Sequence, residues 1–255
     1  MNPKVKIVGI IPARYESSRF SGKPLALICG RPMIQWVYER MLTSKYISDL
    51  LVATDDERIF EAVQRFNGRV VMTSPTARSG TDRVAEVAQN LDADIVVNVQ
   101  GDEPLIIAEA VDAAIEPLID DPTVVVSTLV RPINSLEELQ NPNTVRVVFD
   151  RWHNALYFSR ASIPHFRDWQ QTPSWFNKSR YFQHVGVYIF RRDFLLKFAK
   201  MEQTPLEKIE NLEQLRVLEN GYPIRVVETD YNPICVDVPE DIPKVEQFIQ
   251  KHHLS

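Results

Sequence analysis

Short apolar runs alternate along the chain with longer stretches in which apolar residues recur every three or four positions. Residues 5–11 read as a strand and 32–43 as a helix with Pro32 in its first turn. A second strand falls at 50–54, a second helix at 57–66 closed by Gly68, and a short strand at 70–72. A helix over 82–91 and a strand over 95–99, apolar except for Asn98, continue the series. Strands this uniformly apolar imply burial on both faces, as in a parallel sheet covered by helices. The alternation predicts an α/β fold with an open, mostly parallel sheet flanked by helices.

Beyond a strand at 124–129 the rhythm changes. Strands at 145–149 and 155–158 enclose a turn-like stretch at 150–154, and a polar, aromatic loop covers 173–179. A strand follows at 184–190, then helices at 193–200 and 205–220. The last is strongly marked: Thr204 and Glu207 spell a capping box, Pro205 takes the first helical position and Gly221 supplies the stop. Its apolar stripe is Leu206, Ile209, Leu212, Leu215 and Leu218. Strands at 225–228 and 234–236 and a helix at 239–251 close the chain. No repeat, low-complexity tract or linker separates independent domains, so residues 1–255 are expected to form one domain, with a smaller lobe at roughly 130–200.

Composition narrows the classes of partner. The chain of 255 residues carries a formal charge of -5, which argues against general binding to nucleic acid or to an anionic membrane. An anionic substrate must then be met by a local basic cluster. Cys29 and Cys235 lie far apart without metal or redox spacing and are expected to be small buried residues. A disulfide framework is absent, which suits a reducing, cytoplasmic setting. No apolar run approaches the ~18 residues that span a bilayer, so membrane insertion is not expected. Lys4 and Lys6 precede the run 7–11 in the manner of a signal peptide, but the run is short and Arg14 stands where small residues should lie.

Ligands of open α/β sheets sit beyond the carboxyl ends of the strands, and four segments fall there. The loop after the first strand reads Pro12-Ala13-Arg14-Tyr15-Glu16-Ser17-Ser18-Arg19-Phe20-Ser21-Gly22-Lys23-Pro24. Backbone amides and hydroxyls there can wrap phosphate oxygens while Arg14, Arg19 and Lys23 offset their charge. The same residues also fit a solvated basic loop. Neither Gly-x-Gly-x-x-Gly nor Gly-x-x-x-x-Gly-Lys-Ser/Thr is present, which disfavours dinucleotide binding and P-loop hydrolysis. Gln100-Gly101-Asp102-Glu103-Pro104 follows a strand directly; Asp102 there suits Mg²⁺ and phosphate, or an ordinary turn. Asp237, in Val236-Asp237-Val238-Pro239-Glu240-Asp241, is either a second metal carboxylate or a helix cap. Arg78-Ser79-Gly80-Thr81-Asp82-Arg83 opens a helix, and its hydroxyls and amides either read a nucleobase edge or cap that helix.

Taken together these segments resemble the 3-deoxy-D-manno-octulosonate cytidylyltransferases, the CMP-Kdo synthetases. The likeness runs along nearly the whole chain. Its carriers include Gly22-Lys23-Pro24-Leu25, Ser79-Gly80-Thr81-Asp82-Arg83, Asn98-Val99-Gln100-Gly101-Asp102-Glu103-Pro104 and Ala155-Leu156-Tyr157-Phe158-Ser159-Arg160. His184-Val185-Gly186-Val187-Tyr188, Leu212-Glu213-Gln214-Leu215-Arg216 and the Asp237 segment follow in the family's order. The resemblance implies a Rossmann-like nucleotidyltransferase fold whose smaller lobe serves sugar binding and dimerisation. It implies transfer of CMP from CTP to the anomeric hydroxyl of 3-deoxy-D-manno-octulosonate (Kdo), with release of pyrophosphate, for lipopolysaccharide biosynthesis. Arg14 and Lys23 would grip the triphosphate, with Ala13, Arg78, Ser79, Gly80 and Gln100 completing the nucleotide site. Asp102 and Asp237 would hold Mg²⁺, and Gln100, Arg160, His184, Tyr188, Glu213 and Gln214 would line the sugar-acid pocket. Arg160 on its own chemistry suits either a sugar carboxylate, which a guanidinium matches bidentately, or a surface ion pair. A homodimer is expected, partly from the resemblance and partly because the strand at 155–158 and its aromatic neighbours need cover.

Three other readings fit parts of this pattern. One is a cytidylyltransferase acting on 8-amino-Kdo or sialic acid, and another a nucleotide-binding regulatory module without catalysis. The third is a glycosyltransferase built on the same sheet.

Overall fold

The computed structural model describes residues 5–17, 19–167, 176 and 180–254. The elements run β1 (Ile7–Ala13), β2 (Leu27–Ile28), β3 (Arg31–Pro32), α1 (Met33–Met41), β4 (Asp49–Thr54), α2 (Glu57–Arg65), β5 (Val70–Met72) and α3 (Gly80–Ala88). They continue as β6 (Ile95–Asn98), α4 (Ala108–Asp120), β7 (Val126–Pro132), α5 (Leu136–Gln140), β8 (Arg146–Phe149), β9 (Ala155–Ser159) and β10 (Phe182–Arg191). The chain ends with α6 (Arg192–Phe198), α7 (Pro205–Glu210), α8 (Gln214–Glu219), β11 (Arg225–Glu228) and α9 (Ile242–Lys251). They form two compact units, one of residues 1–112, 190–199 and 233–255, the other of 113–189 and 200–232.

In the first unit β1 lies between β4 and β6, parallel to both, and β5 extends the ladder beyond β4, also in parallel. Ile10 stands opposite Leu51 on one side and Asn98 on the other, which aligns the strand ends that carry the loops of interest. Ile7, Val8, Ile10 and Ile11 are all buried, as are Ile95, Val96 and Val97, in keeping with a sheet covered on both faces. Asn98, the polar exception, is buried and donates to Thr81 Oγ1 at 3.1 Å, tying β6 to α3.

The second unit is mixed. β11 runs parallel to β7, while β8 is antiparallel to β9 and to β10. β7 lies between β11 and β10.

Several expectations need correction. The span 105–123, where no element was expected, holds α4, with Val111, Ala114, Ile115 and Leu118 buried. Pro117 inside it ordinarily argues against a helix interior, and here the buried apolar face outweighs it. The helix expected over 205–220 is two helices, because Asn211 adopts the left-handed conformation at φ 53°. Leu212 and Leu215 are buried as the stripe requires, but Ile209 is 80% exposed. The buried surface goes instead to a bidentate ion pair, Arg216 Nε and Nη2 donating to the two oxygens of Glu207 at 2.8 and 2.5 Å. Residues 234–236 form no strand; Val236 N–H donates to the Asp102 carbonyl at 3.0 Å. Both cysteines are exposed rather than buried. Cys29 and Gly30, with φ of 48° and 79°, are the central pair of the β2–β3 hairpin, the two-positive-φ turn that matches strand twist. The loop expected at 173–179 lies, apart from Phe176, outside the described residues.

Candidate active site

The carboxyl ends of β1 and β6 deliver the first unit's functional loops. After β1 the chain turns back on itself: Gly22 N–H donates to the Tyr15 carbonyl at 2.8 Å, with Gly22 at φ 72°, a conformation that disfavours a side chain. Gly22 then caps a single helical turn, Lys23–Leu25, which fixes the root of the Lys23 side chain. After β6, Gly101 passes so close to β1 that a β-carbon there would lie 3.0 Å from the Pro12 carbonyl oxygen. That close approach carries Asp102 to the foot of the Lys23 loop.

Lys23 Nζ lies 2.8 Å from Asp102 Oδ2 and 4.0 Å from Asp237 Oδ1, so the two aspartates, distant in sequence, face one ammonium. Arg19 Nη2 holds the same Asp237 Oδ1 at 2.9 Å. Asp237 is placed by the Val236–Asp102 backbone bond and by Asp241, whose Oδ2 accepts from the Asp237 and Val238 amides at 3.0 and 3.2 Å. Asp241 therefore takes the capping role, leaving the Asp237 carboxylate to the two cations.

Beside this cluster opens a cavity of about 390 Å³ whose lining brings together Ala13, Arg14, Lys23, Arg78, Ser79, Gly80, Gln100 and Asp102. Arg14 is exposed and makes no ion pair among the described residues. Ser79 serves as the N-cap of α3, its Oγ accepting from Asp82 N–H at 3.0 Å, and Arg78 donates to Asp82 Oδ2 at 3.2 Å. Arg83 also lines the cavity but is buried and spent on Asp55 Oδ2 at 2.8 Å and on Thr73 Oγ1. Sequence reasoning gave Arg83 no role. The only signal was an acidic residue following β4, and an ion pair across two loops is invisible to periodicity.

The remaining predicted residues lie in the second unit. His184 and Tyr188 are four apart on β10, hence on one face, with ring centroids 5.3 Å apart. His184 is buried, its Nε2 lies 2.9 Å from Thr128 Oγ1, and desolvation pushes its pKa down to about 3. Thr128 Oγ1 also reaches the Val187 carbonyl at 2.7 Å. A carbonyl only accepts, so the hydroxyl proton goes there and His184 Nε2 carries the hydrogen, leaving Nδ1 as an acceptor. Burial raises the Tyr188 phenol well above its ordinary range, and the nearby Glu213 charge raises it further. Gln214 is buried, and its Nε2 has no acceptor among the described residues. Arg160 is exposed at the end of β9 and makes its contacts with Glu210 and Arg146. Thr128, Glu210 and Arg146 were not singled out from the sequence, where each reads as an ordinary strand or helix position.

Comparison with known proteins agrees with this architecture. The cytidylyltransferase family model matches residues 8–229. A 3-deoxy-manno-octulosonate cytidylyltransferase of Geobacter metallireducens is 54% identical, covering 98% of this chain and all of that protein. The protein of the same name from Syntrophus aciditrophicus is 51% identical over 96% of this chain and 97% of its own length. Among solved structures, CMP:2-keto-3-deoxy-manno-octonic acid synthetase complexed with CTP superposes with a TM-score of 0.90 at 43% identity, covering 97% of this chain and 99% of that one. A cytidylyltransferase from Leptospira borgpetersenii, at 17% identity and a TM-score of 0.64, shares the fold over 97% of this chain and 87% of its own. With matches of this length and identity behind it, the chain belongs to the cytidylyltransferases, in the 3-deoxy-manno-octulosonate cytidylyltransferase family.

Proposed function

We propose that the protein transfers CMP from CTP to the anomeric hydroxyl of Kdo, releasing pyrophosphate, in a reaction that depends on Mg²⁺. The observation that carries this reading is the meeting of Asp102 and Asp237 at the Lys23 ammonium, beside a cavity rimmed by cations in a protein of net charge -5. Lys23 and Arg19 hold the two carboxylates together, and a pair of carboxylates so gathered, with phosphate and water completing an all-oxygen donor set, suits Mg²⁺. When bound by Asp102 and Asp237, such an ion polarises a phosphate and lowers the pKa of an attacking hydroxyl.

The chain's own residues supply the rest. Arg14, without an ion pair among the described residues, meets the nucleotide's phosphates, and Lys23 swings from the aspartates to the departing pyrophosphate. Ser79, Gly80 and Arg78 flank the base, with Ala13 and Gln100 closing the cavity floor. Arg160 receives the sugar carboxylate, while His184, Tyr188, Glu213 and Gln214 bind its hydroxyls. Here a neutral His184 accepts from a hydroxyl, and Gln214 Nε2, without an acceptor among the described residues, donates to one. The sugar oxygen bonds to the α-phosphorus as the bond to pyrophosphate breaks, and the hydroxyl proton passes to solvent.

Incubation with CTP, Mg²⁺ and a panel of sugar acids, following pyrophosphate, tests this directly. Release with Kdo above sialic acid or 8-amino-Kdo is expected. CTP binding without release for any sugar acid would mark a regulatory module instead. Consumption of an already activated nucleotide sugar would mark a glycosyltransferase.

The protein is further proposed to work as a cytoplasmic homodimer. Trp152, just before β9, and Leu156 within it are 64% and 62% exposed, and a second copy seated there would cover them. Among the described residues no helix is long and apolar enough to cross a membrane.

A further inference from the structure

Arg160 is gripped at three points. Its backbone N–H donates to Glu210 Oε2 at 3.0 Å, its carbonyl accepts from Arg146 Nη1, and its side-chain Nε–H donates to the Glu210 carbonyl at 3.1 Å. The Glu210 carboxylate is itself fixed, since Ser159 Oγ donates to Oε1 at 2.6 Å and Tyr157 OH to the same oxygen at 3.4 Å. Glu210 is the last residue of α7, immediately before the left-handed Asn211, so its position is set by the helix end. Arg146 is 1% exposed and donates to the Thr144 carbonyl at 2.6 Å and to the Leu139 carbonyl as well, which anchors the opposite side of the grip.

From this geometry we propose that Glu210 is a positioning residue for recognition of the sugar carboxylate, acting through Arg160. The inference rests on the reading of Arg160 given under Proposed function and extends it. With Nε committed to the Glu210 carbonyl, the end of the guanidinium bearing Nη1 and Nη2 has no partner among the described residues. That end is the fork that matches a carboxylate with two parallel hydrogen bonds. A carboxylate beside an anion receptor would ordinarily compete with its ligand. Here the Glu210 carboxylate is occupied by the Arg160 backbone amide and two hydroxyls, and it is the Glu210 main-chain carbonyl that touches the guanidinium, at its Nε edge. Freezing an exposed arginine in its receiving pose removes an ordering cost that each binding event would otherwise carry.

The test uses the full-length protein with CTP, Mg²⁺ and Kdo, comparing Glu210→Gln, Glu210→Ala and Arg160→Met with their double variants, each checked for an unchanged thermal midpoint. The expected result is a KM for Kdo raised about tenfold in Glu210→Ala and less in Glu210→Gln, with the KM for CTP within about twofold. Calorimetric titration of Kdo should weaken in parallel, and Glu210→Ala should add little once Arg160→Met is in place. Unchanged Kdo parameters, an equal rise for CTP, or additive losses in the double variant would each overturn the role of Glu210. If Glu210→Ala fails to fold, Glu210→Gln decides, since it keeps one oxygen acceptor. A wild-type protein that releases no pyrophosphate with any sugar acid would instead bring down the functional reading itself, and this inference with it.

Discussion

Lys23 touches Asp102 at 2.8 Å with most of its side chain buried, so the two charges offset one another. Removing either group should disable turnover without unfolding the chain. Asp102→Asn and Lys23→Ala are each expected to lose on the order of 10²-fold or more in turnover, measured by pyrophosphate release, with circular dichroism unchanged. His184 carries a separate expectation. Its pKa lies near 3 because burial disfavours the imidazolium, while the unfolded chain titrates near 6.5. The unfolded state therefore binds the extra proton between those values. The stability tied to His184 is complete above ~6.5 and declines as pH falls toward about 3, by up to ~1.4 kcal/mol per unit. Imidazole NMR shifts of His184 should stay constant from pH 8 to pH 5, and a midpoint near 6.5 would sink this reading. The placement of Gly22-Lys23 and Gly101-Asp102 in loops after β1 and β6, beside one cavity, was legible because charge and glycine coincide there. Thr128, Arg83 and Glu210 were illegible, because their importance lies in what they touch across the chain.

The strands of the first unit were legible because burial on both faces writes an apolar run that no turn or helix cap imitates. β1, β4 and β6 fall where that pattern puts them, offset by one or two residues. The segment 205–220 shows the opposite case. A capping box and a leucine stripe describe one helix, yet a break at Asn211 lets Glu207 and Arg216 pair in the interior, at 4% and 5% exposure. Local pattern could not foresee it, because the pairing depends on burial that neither helix supplies alone. Arg216→Met should strand a buried carboxylate and cost about 3–5 kcal/mol in urea unfolding. Asn211→Gly should change stability little, whereas Asn211→Val should cost about 1–2 kcal/mol, since a β-branched residue resists the left-handed conformation. Equal tolerance of Val and Gly at position 211 would show that the break is not held in the native state.

For the molecule as a whole, an acidic chain gathers Arg14, Arg19, Lys23 and Arg78 around one cavity lined also by Asp102, the arrangement on which the proposed use of a nucleotide with a divalent ion rests. The proposed dimer would cover the exposed Trp152 and Leu156. Light scattering should give twice the chain mass for wild type, and Leu156→Glu should shift it toward the monomer. A wild-type monomer at micromolar concentration would contradict the dimer. The most direct measurement is of Mn²⁺, as a spectroscopic stand-in for Mg²⁺, binding to the protein saturated with a non-hydrolysable CTP analogue. Electron paramagnetic resonance should show affinity falling at least about tenfold in both Asp102→Asn and Asp237→Asn, since on the proposed function each removes one of two protein ligands. Wild-type affinity in either variant, with its fold intact, would contradict the convergence of the two aspartates on one cation.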